Sequence, residues 1–182
     1  MKRIFNIVLI LIFLFFLSYV PKIYGQQKTT AVGISMIKQF ETLYLHTYLC
    51  PSKILTVGYG HTGRDVYPGM LISEKQGELL LRNDLNRFEN YVDETIERTM
   101  RWHEFDALVS FTFNVGHVSD ELKYALEVGN TKIVIMKIMQ YNKGTVNKRK
   151  IVLSGLIRRR KAECALYDNT YLKVWSKLLL SM

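Results

Sequence analysis

Apolar positions near the start of the folded part of the chain change period within thirty residues. Ile34, Ile37, Lys38 and Glu41 recur at three-to-four-residue spacing, which predicts a short helix. Two β-like runs follow, separated by Pro51, Ser52 and Lys53, and predict a hairpin. Arg64–Leu71 carries Asp65, Pro68 and Gly69 and reads as a loop. Ser73 with Gln76 three residues later is a capping-box pattern. Leu81, Leu85, Phe88 and Val92 continue from it on one face, so residues 73–94 are expected as a long, half-buried helix. In Trp102–Gly116 an apolar stripe of Phe105, Leu108, Val109 and Thr112 predicts a core helix. A loop at His117–Lys123 and two more helices, Thr131–Tyr141 and Ser154–Tyr167, complete the pattern.

The N-terminus has a different character. Lys2 and Arg3 precede a nearly unbroken apolar run from Ile4 to Val20, closed by Pro21 and followed by Gly25. Residues 1–25 therefore read as an export signal, cleaved after Gly25 or retained as an anchor through residues 4–20. In either case the flanking positive charge stays in the cytoplasm and the rest of the chain, 26–182, faces outward, periplasmic or extracellular. The length of that remainder suits one domain.

The chain has 25 Lys and Arg against 16 Asp and Glu. Residues 1–25 hold three of the basic residues and none of the acids, which leaves 22 against 16, or +6. A basic surplus suits an anionic polymer such as cell wall or nucleic acid. The basic residues are scattered among helices with no recognition motif, so nucleic acid is not expected as a partner. Two cysteines make no disulfide framework, and Cys50 in the hairpin and Cys164 in a late helix are expected to serve separate roles. No companion set of His, Cys and Asp stands at metal-ligand spacing around His61, and neither metal nor cofactor is expected.

A helix end facing a hairpin brings Glu41, Cys50 and Thr56 towards one space. A carboxyl at the edge of an apolar helix face is partly desolvated, the setting of a general acid. The spacing is Glu41, eight residues, Cys50, five residues, Thr56, and then Gly58-Tyr59-Gly60-His61-Thr62. With the preceding IKQFE, this resembles the catalytic segment of the bacteriophage-type lysozymes, glycoside hydrolase family 24. WHEFDALVSFTFNVG resembles that family's central helix, and GLIRRRKAECALY its GLxxRRxxE helix. The resemblance runs from about Thr30 to Asp168.

The resemblance implies an α+β, mainly α, lysozyme-like fold. A small hairpin-bearing lobe (about 30–72) is joined by a connecting helix (about 73–94) to a helical lobe (about 95–169), with a C-terminal extension at 170–182. It implies a monomeric lysozyme that hydrolyses the β-1,4 bond between N-acetylmuramic acid and N-acetylglucosamine in peptidoglycan. Glu41 would be the acid, with Cys50 and Thr56 handling the attacking water. Thr62, Phe113 and Asn114 would border substrate, with packing or capping the alternative for the latter two. Three consecutive arginines span most of a helical turn and cannot all face one partner; the family register makes Arg159 the one nearest Glu41. It also implies a supporting pair between His61 and Asp84.

Position 50 usually carries a carboxylate in that family. A thiol there alters the chemistry, because a thiolate attacking the sugar would give retention where a held water gives inversion. A lytic transglycosylase and a non-catalytic wall-binding protein are the alternatives. The biological setting stays open between phage lysis and bacterial wall remodelling or antibacterial attack.

Overall fold

The helix bearing Glu41 cannot satisfy its own opening N–H groups, and most of its N-terminal support comes from a distant segment. The computed structural model describes residues 26–50, 52–146 and 148–169; the expected export segment and the extension at 170–182 lie outside them. Helix α1 spans Ala31–Phe40, with the Thr30 hydroxyl accepting from Val32 N at 3.2 Å. The buried Asp106 carboxylate accepts from Thr30 N at 2.9 Å, from Gly33 N at 3.1 Å and from the Thr30 hydroxyl. A Cβ on Gly33 would stand 2.6 Å from Asp106 Cγ, so this approach requires glycine. Ile34, Met36 and Ile37 face the core. The helix stops at Phe40, and Glu41 turns to extended backbone (φ −107°, ψ 135°) while its N–H still donates to Ile37 O at 3.1 Å.

Strands β1 (Tyr44–Leu49) and β2 (Leu55–Gly58) form an antiparallel hairpin in which Tyr48 pairs with Thr56 and Leu49 with Leu55. The loop that follows is stitched to β1 through Thr47 N to Met70 O and Ile72 N to Leu45 O. Val57, Val66 and Ile72 make a small apolar cluster beneath it. Gly58 adopts φ 64° and its Cα position lies against Gly77, which lets the end of β2 close onto the next helix.

That helix, α2, spans Glu74–Thr95 and opens with the expected capping box: Gln76 N donates to Ser73 Oγ at 3.3 Å, and Ser73 N to Gln76 Oε1 at 2.7 Å. Leu81, Leu85 and Val92 are its buried face. Helix α3, Trp102–Val115, is buried around nearly its whole circumference, because α1, α2 and the last helix all pack on it. The stripe expected from its sequence is thus one side of a central helix. Gly116 ends it in the left-handed region at φ 88°.

Two elements depart from expectation. The segment His117–Lys123, expected as a loop, turns helical at Asp120: α4 spans Asp120–Glu127, capped by Ser119, whose hydroxyl accepts from Leu122 N. Eight residues show barely two turns of periodicity, too few for Leu122, Ala125 and Leu126 to stand out. Between α5 (Thr131–Met139) and α6 (Ser154–Tyr167) lies a second hairpin, β3 (Lys143–Val146) with β4 (Arg149–Val152), where no strand was expected. Neither strand has a buried residue, so no alternation was written into the sequence, and the ladder from Lys143↔Val152 to Val146↔Arg149 holds it. The architecture is α+β and mainly helical, with two small antiparallel hairpins among the described residues, as the expected class has it.

Candidate active site

Arg159 carries the geometry that gathers the site. On α6 it is almost fully buried and fans out over three elements. Nη1 donates to Glu41 Oε1, Nη2 to Ser110 O on α3 at 3.2 Å, and Nε to Glu163 Oε1 at 3.1 Å. The planar fork suits this role, since each nitrogen meets a different acceptor in fixed directions. Glu41 itself is a quarter exposed and lines, together with Arg159, a cavity of about 520 Å³.

Behind Arg159 lies a second buried arginine. Arg160 Nη2 donates to Asn114 Oδ1 at 2.9 Å and to Glu163 Oε1 at 3.2 Å, and its guanidinium stacks 5.0 Å from the Phe111 ring centre. Glu163 has no exposure and also accepts from Ser110 Oγ at 2.9 Å. Two guanidiniums and two carboxylates, Glu41 and Glu163, therefore balance in charge. The motif match pointed to this helix; Glu163, Arg160 and Ser110 as partners were missed. The spacing of Glu163 three and four residues after the arginines was the available signal.

The hairpin carries the other two expected catalytic residues, Cys50 and Thr56, and neither is on the cavity wall. Counting back from the Tyr48↔Thr56 pair places Tyr48, Cys50 and Thr56 on one face of the ladder. Thr56 is buried and its hydroxyl donates to Ile54 O at 3.0 Å. Cys50 is a half-buried free thiol, held below the ordinary thiol pKa first by the backbone of Ile54 and then by Ser52 and Thr56. Tyr48 was not singled out from sequence, although strand alternation puts it beside Cys50. Its hydroxyl is pushed above the usual tyrosine pKa by burial, then by Tyr44, Cys50 and Glu41, so it sits within the electrostatic reach of both the carboxyl and the thiol. Tyr44 and Tyr48 stack with ring centres 4.2 Å apart.

The remaining expected residues divide. Asn114 lines the cavity with Glu41 and Arg159, whereas Phe113 turns inward against Phe88, ring centres 5.1 Å apart. Thr62 is exposed on the turn after β2 and is not on the cavity wall. His61 Nδ1 lies 2.9 Å and 3.0 Å from the Asp84 oxygens, and Nε2 lies 3.1 Å from Asp65 Oδ2. Backbone bonds in both directions between Val57 and His61 close the GYGH turn, so the imidazole pins that turn to α2. Burial lowers the histidine pKa, but Asp84 and Asp65 outweigh it and hold the imidazole above its ordinary value. Cys164, the other free thiol, is buried and pushed up to about 12 by that burial, which leaves it neutral and inert. Among the described residues no group of three or more His, Cys, Asp or Glu could hold a metal ion.

A carboxyl at a helix end, a hairpin bearing a thiol and a hydroxyl, and an arginine from α6 stand on this fold. The phage lysozyme family model matches residues 38–163, and the chain belongs to that family. The chain is 38% identical to an endolysin of Bacillus phage B103 over 140 residues, 74% of this chain. Those residues are 52% of the B103 protein, so the chain spans about half the length of that relative. Among solved structures, the endolysin from Escherichia coli O157:H7 phage FAHEc1 superposes with a TM-score of 0.71 at 33% identity, covering 79% of this chain and 94% of that one. The muramidase domain of SpmX from Asticaccaulis excentricus gives 0.72 at 30% identity, covering 78% and 97%.

Proposed function

We infer that the chain is a lysozyme that cuts peptidoglycan at the β-1,4 bond between N-acetylmuramic acid and N-acetylglucosamine. The observation that carries this is Glu41 held by Arg159 at the edge of an open cavity; the hairpin face of Cys50 and Thr56 is tied to it through Tyr48, whose hydroxyl feels both Glu41 and Cys50. Glycoside cleavage needs a proton for the departing oxygen and a stabilised water on the opposite face of the sugar. Glu41 gives the proton. Arg159, anchored by Glu163 and Ser110 O, orients that carboxyl and shields it from the solvent behind. The Thr56 hydroxyl holds the water, and Cys50, with its lowered pKa, takes the place of a carboxylate as the group that activates it. Water held between acid and thiol gives inversion; direct attack by sulfur would give retention.

The enzyme meets its substrate outside the cytoplasm, where the apolar run Ile4–Val20 directs it. Among the described residues no helix is long and apolar enough to cross a membrane. The +6 charge of residues 26–182 draws the protein to an anionic wall.

Muropeptides released from purified sacculi by the wild type and by Glu41→Gln test the proposal. The wild type is expected to release reducing ends, and Glu41→Gln to release none. Cys50→Ser should lower the rate, and Cys50→Asp should keep it. Clearance by Glu41→Gln at the wild-type rate would remove Glu41 as the acid. Anhydro-muramic ends in the mass spectrum would make the enzyme a transglycosylase.

A further inference from the structure

Three arginines stand in a row on α6, and two of them are fully committed: Arg159 to Glu41, Glu163 and Ser110 O, Arg160 to Glu163 and Asn114. Arg158 is different. It is exposed, lines the cavity beside Glu41, and its side chain makes no hydrogen bond or ion pair with another described residue. The other ionisable groups on that wall are Glu41 and Arg159, which are paired with each other. The remaining lining is uncharged, from Gln39 and Phe40 on one side to Ser154 and Asn114 on the other. The cavity next to the candidate acid therefore carries one uncompensated positive charge, on a guanidinium whose fork matches a carboxylate.

We propose that Arg158 binds a carboxylate carried by the muramic acid beside the scissile bond and so makes the enzyme select the anionic, substituted glycan over a neutral one. This rests on the lysozyme reading above. A plain N-acetylglucosamine polymer offers no anion to this cavity. A wall strand offers one on every second sugar, either the free lactyl carboxylate or a carboxylate of the peptide joined to it. A volume of about 520 Å³ has room for a sugar together with its branch. Because Arg158 is exposed and holds nothing in the fold, its replacement tests recognition with little effect on folding.

The experiment compares wild type, Arg158→Gln and Arg158→Lys on three forms of one sacculus preparation. One is intact. One is stripped of peptide by an amidase and keeps only lactyl carboxylates. One has its carboxylates converted to neutral amides with carbodiimide and ammonia. Apparent kcat/KM and co-sedimentation are both read. Arg158→Gln is expected to lose about tenfold in kcat/KM on the intact wall, mostly through KM, and about twofold or less on the amidated wall. Arg158→Lys should fall between, since it keeps the charge without the fork. A loss on stripped strands, where the lactyl carboxylate has been set free, shows that the guanidinium takes that group; a loss confined to the intact wall, where the lactyl carboxyl is bound in an amide, assigns the peptide. Equal losses on charged and amidated walls, or no loss on any, overturn the proposal. Should the wild type leave sacculi uncleaved, the hydrolase reading falls alone. Co-sedimentation of wild type and Arg158→Gln with intact and amidated walls then decides Arg158 by the same criterion.

Discussion

Glu163 shows how much of this site depends on a residue that substrate never meets. It lies between two buried guanidiniums, and its removal would leave Arg159 with Glu41 and Arg160 with no carboxylate. Breaking a buried ion pair by deleting one member is far costlier than never having built it, because the orphaned charge stays desolvated. Glu163→Gln should therefore lose on the order of 3–5 kcal/mol in urea denaturation. A change within ~0.5 kcal/mol would mean that the cluster relaxes into solvent. Residue by residue, the sequence was informative where partners are close along the chain. Helical geometry separates three successive arginines around the axis, and the acid three and four positions later was open to the same arithmetic. The Arg159 partner on α1 is 118 residues away, and only the family motif could point to it. Tyr48 was overlooked because nothing in its type, as opposed to its strand register, marks it as within electrostatic reach of Glu41 and Cys50.

At the scale of elements, what places Glu41 is the borrowed cap on α1. Asp106 accepts three hydrogen bonds there from a fully buried position on α3, so Asp106→Ala would orphan the Thr30 and Gly33 N–H groups and open a void. A loss of about 2–3 kcal/mol is expected, against about 1 kcal/mol for Thr30→Ala, both read by denaturation. Equal small effects would mean that α1 caps itself. The GYGH turn gives a pH-dependent counterpart. The His61 pKa is raised in the fold, so its pairing with Asp84 and Asp65 stabilises fully below the unfolded value near 6.5 and is lost as pH rises through the folded value. Melting temperature should fall across that window in the wild type and flatten in Asp84→Asn. A wild-type slope that survives in Asp84→Asn would assign it to another group. The long helices α2 and α3 were legible because several turns repeat one apolar face. Helix α4 and the β3–β4 hairpin were not, one too short to repeat and the other with no buried face to encode.

Across the whole molecule, the candidate groups are distributed over two apolar clusters of unequal size. Glu41 and Arg159 are fixed to the large one, which runs from Ile37 through α2 and α3 to Tyr167. Cys50 and Thr56 ride on the small one, Val57, Val66 and Ile72, capped by partly buried Leu55, Met70 and Leu80. Local opening follows the number of buried apolar groups that must be exposed together, so the β1–β2 hairpin over the small cluster should open without unfolding the rest. The hairpin face proposed to position water would then be the softer part of the candidate site, free to adjust around a sugar while Glu41 and its arginine stay put. Native-state hydrogen exchange tests this directly. Amides in the β1–β2 ladder, Thr56 and Val57 among them, should exchange through openings of lower free energy than those of Leu108 and Phe111 in α3. Loosening the small cluster with Ile72→Ala should speed exchange at Val57 and leave Phe111 unchanged. If the variant accelerates both alike, the two clusters open as one unit, and the candidate site has no softer part.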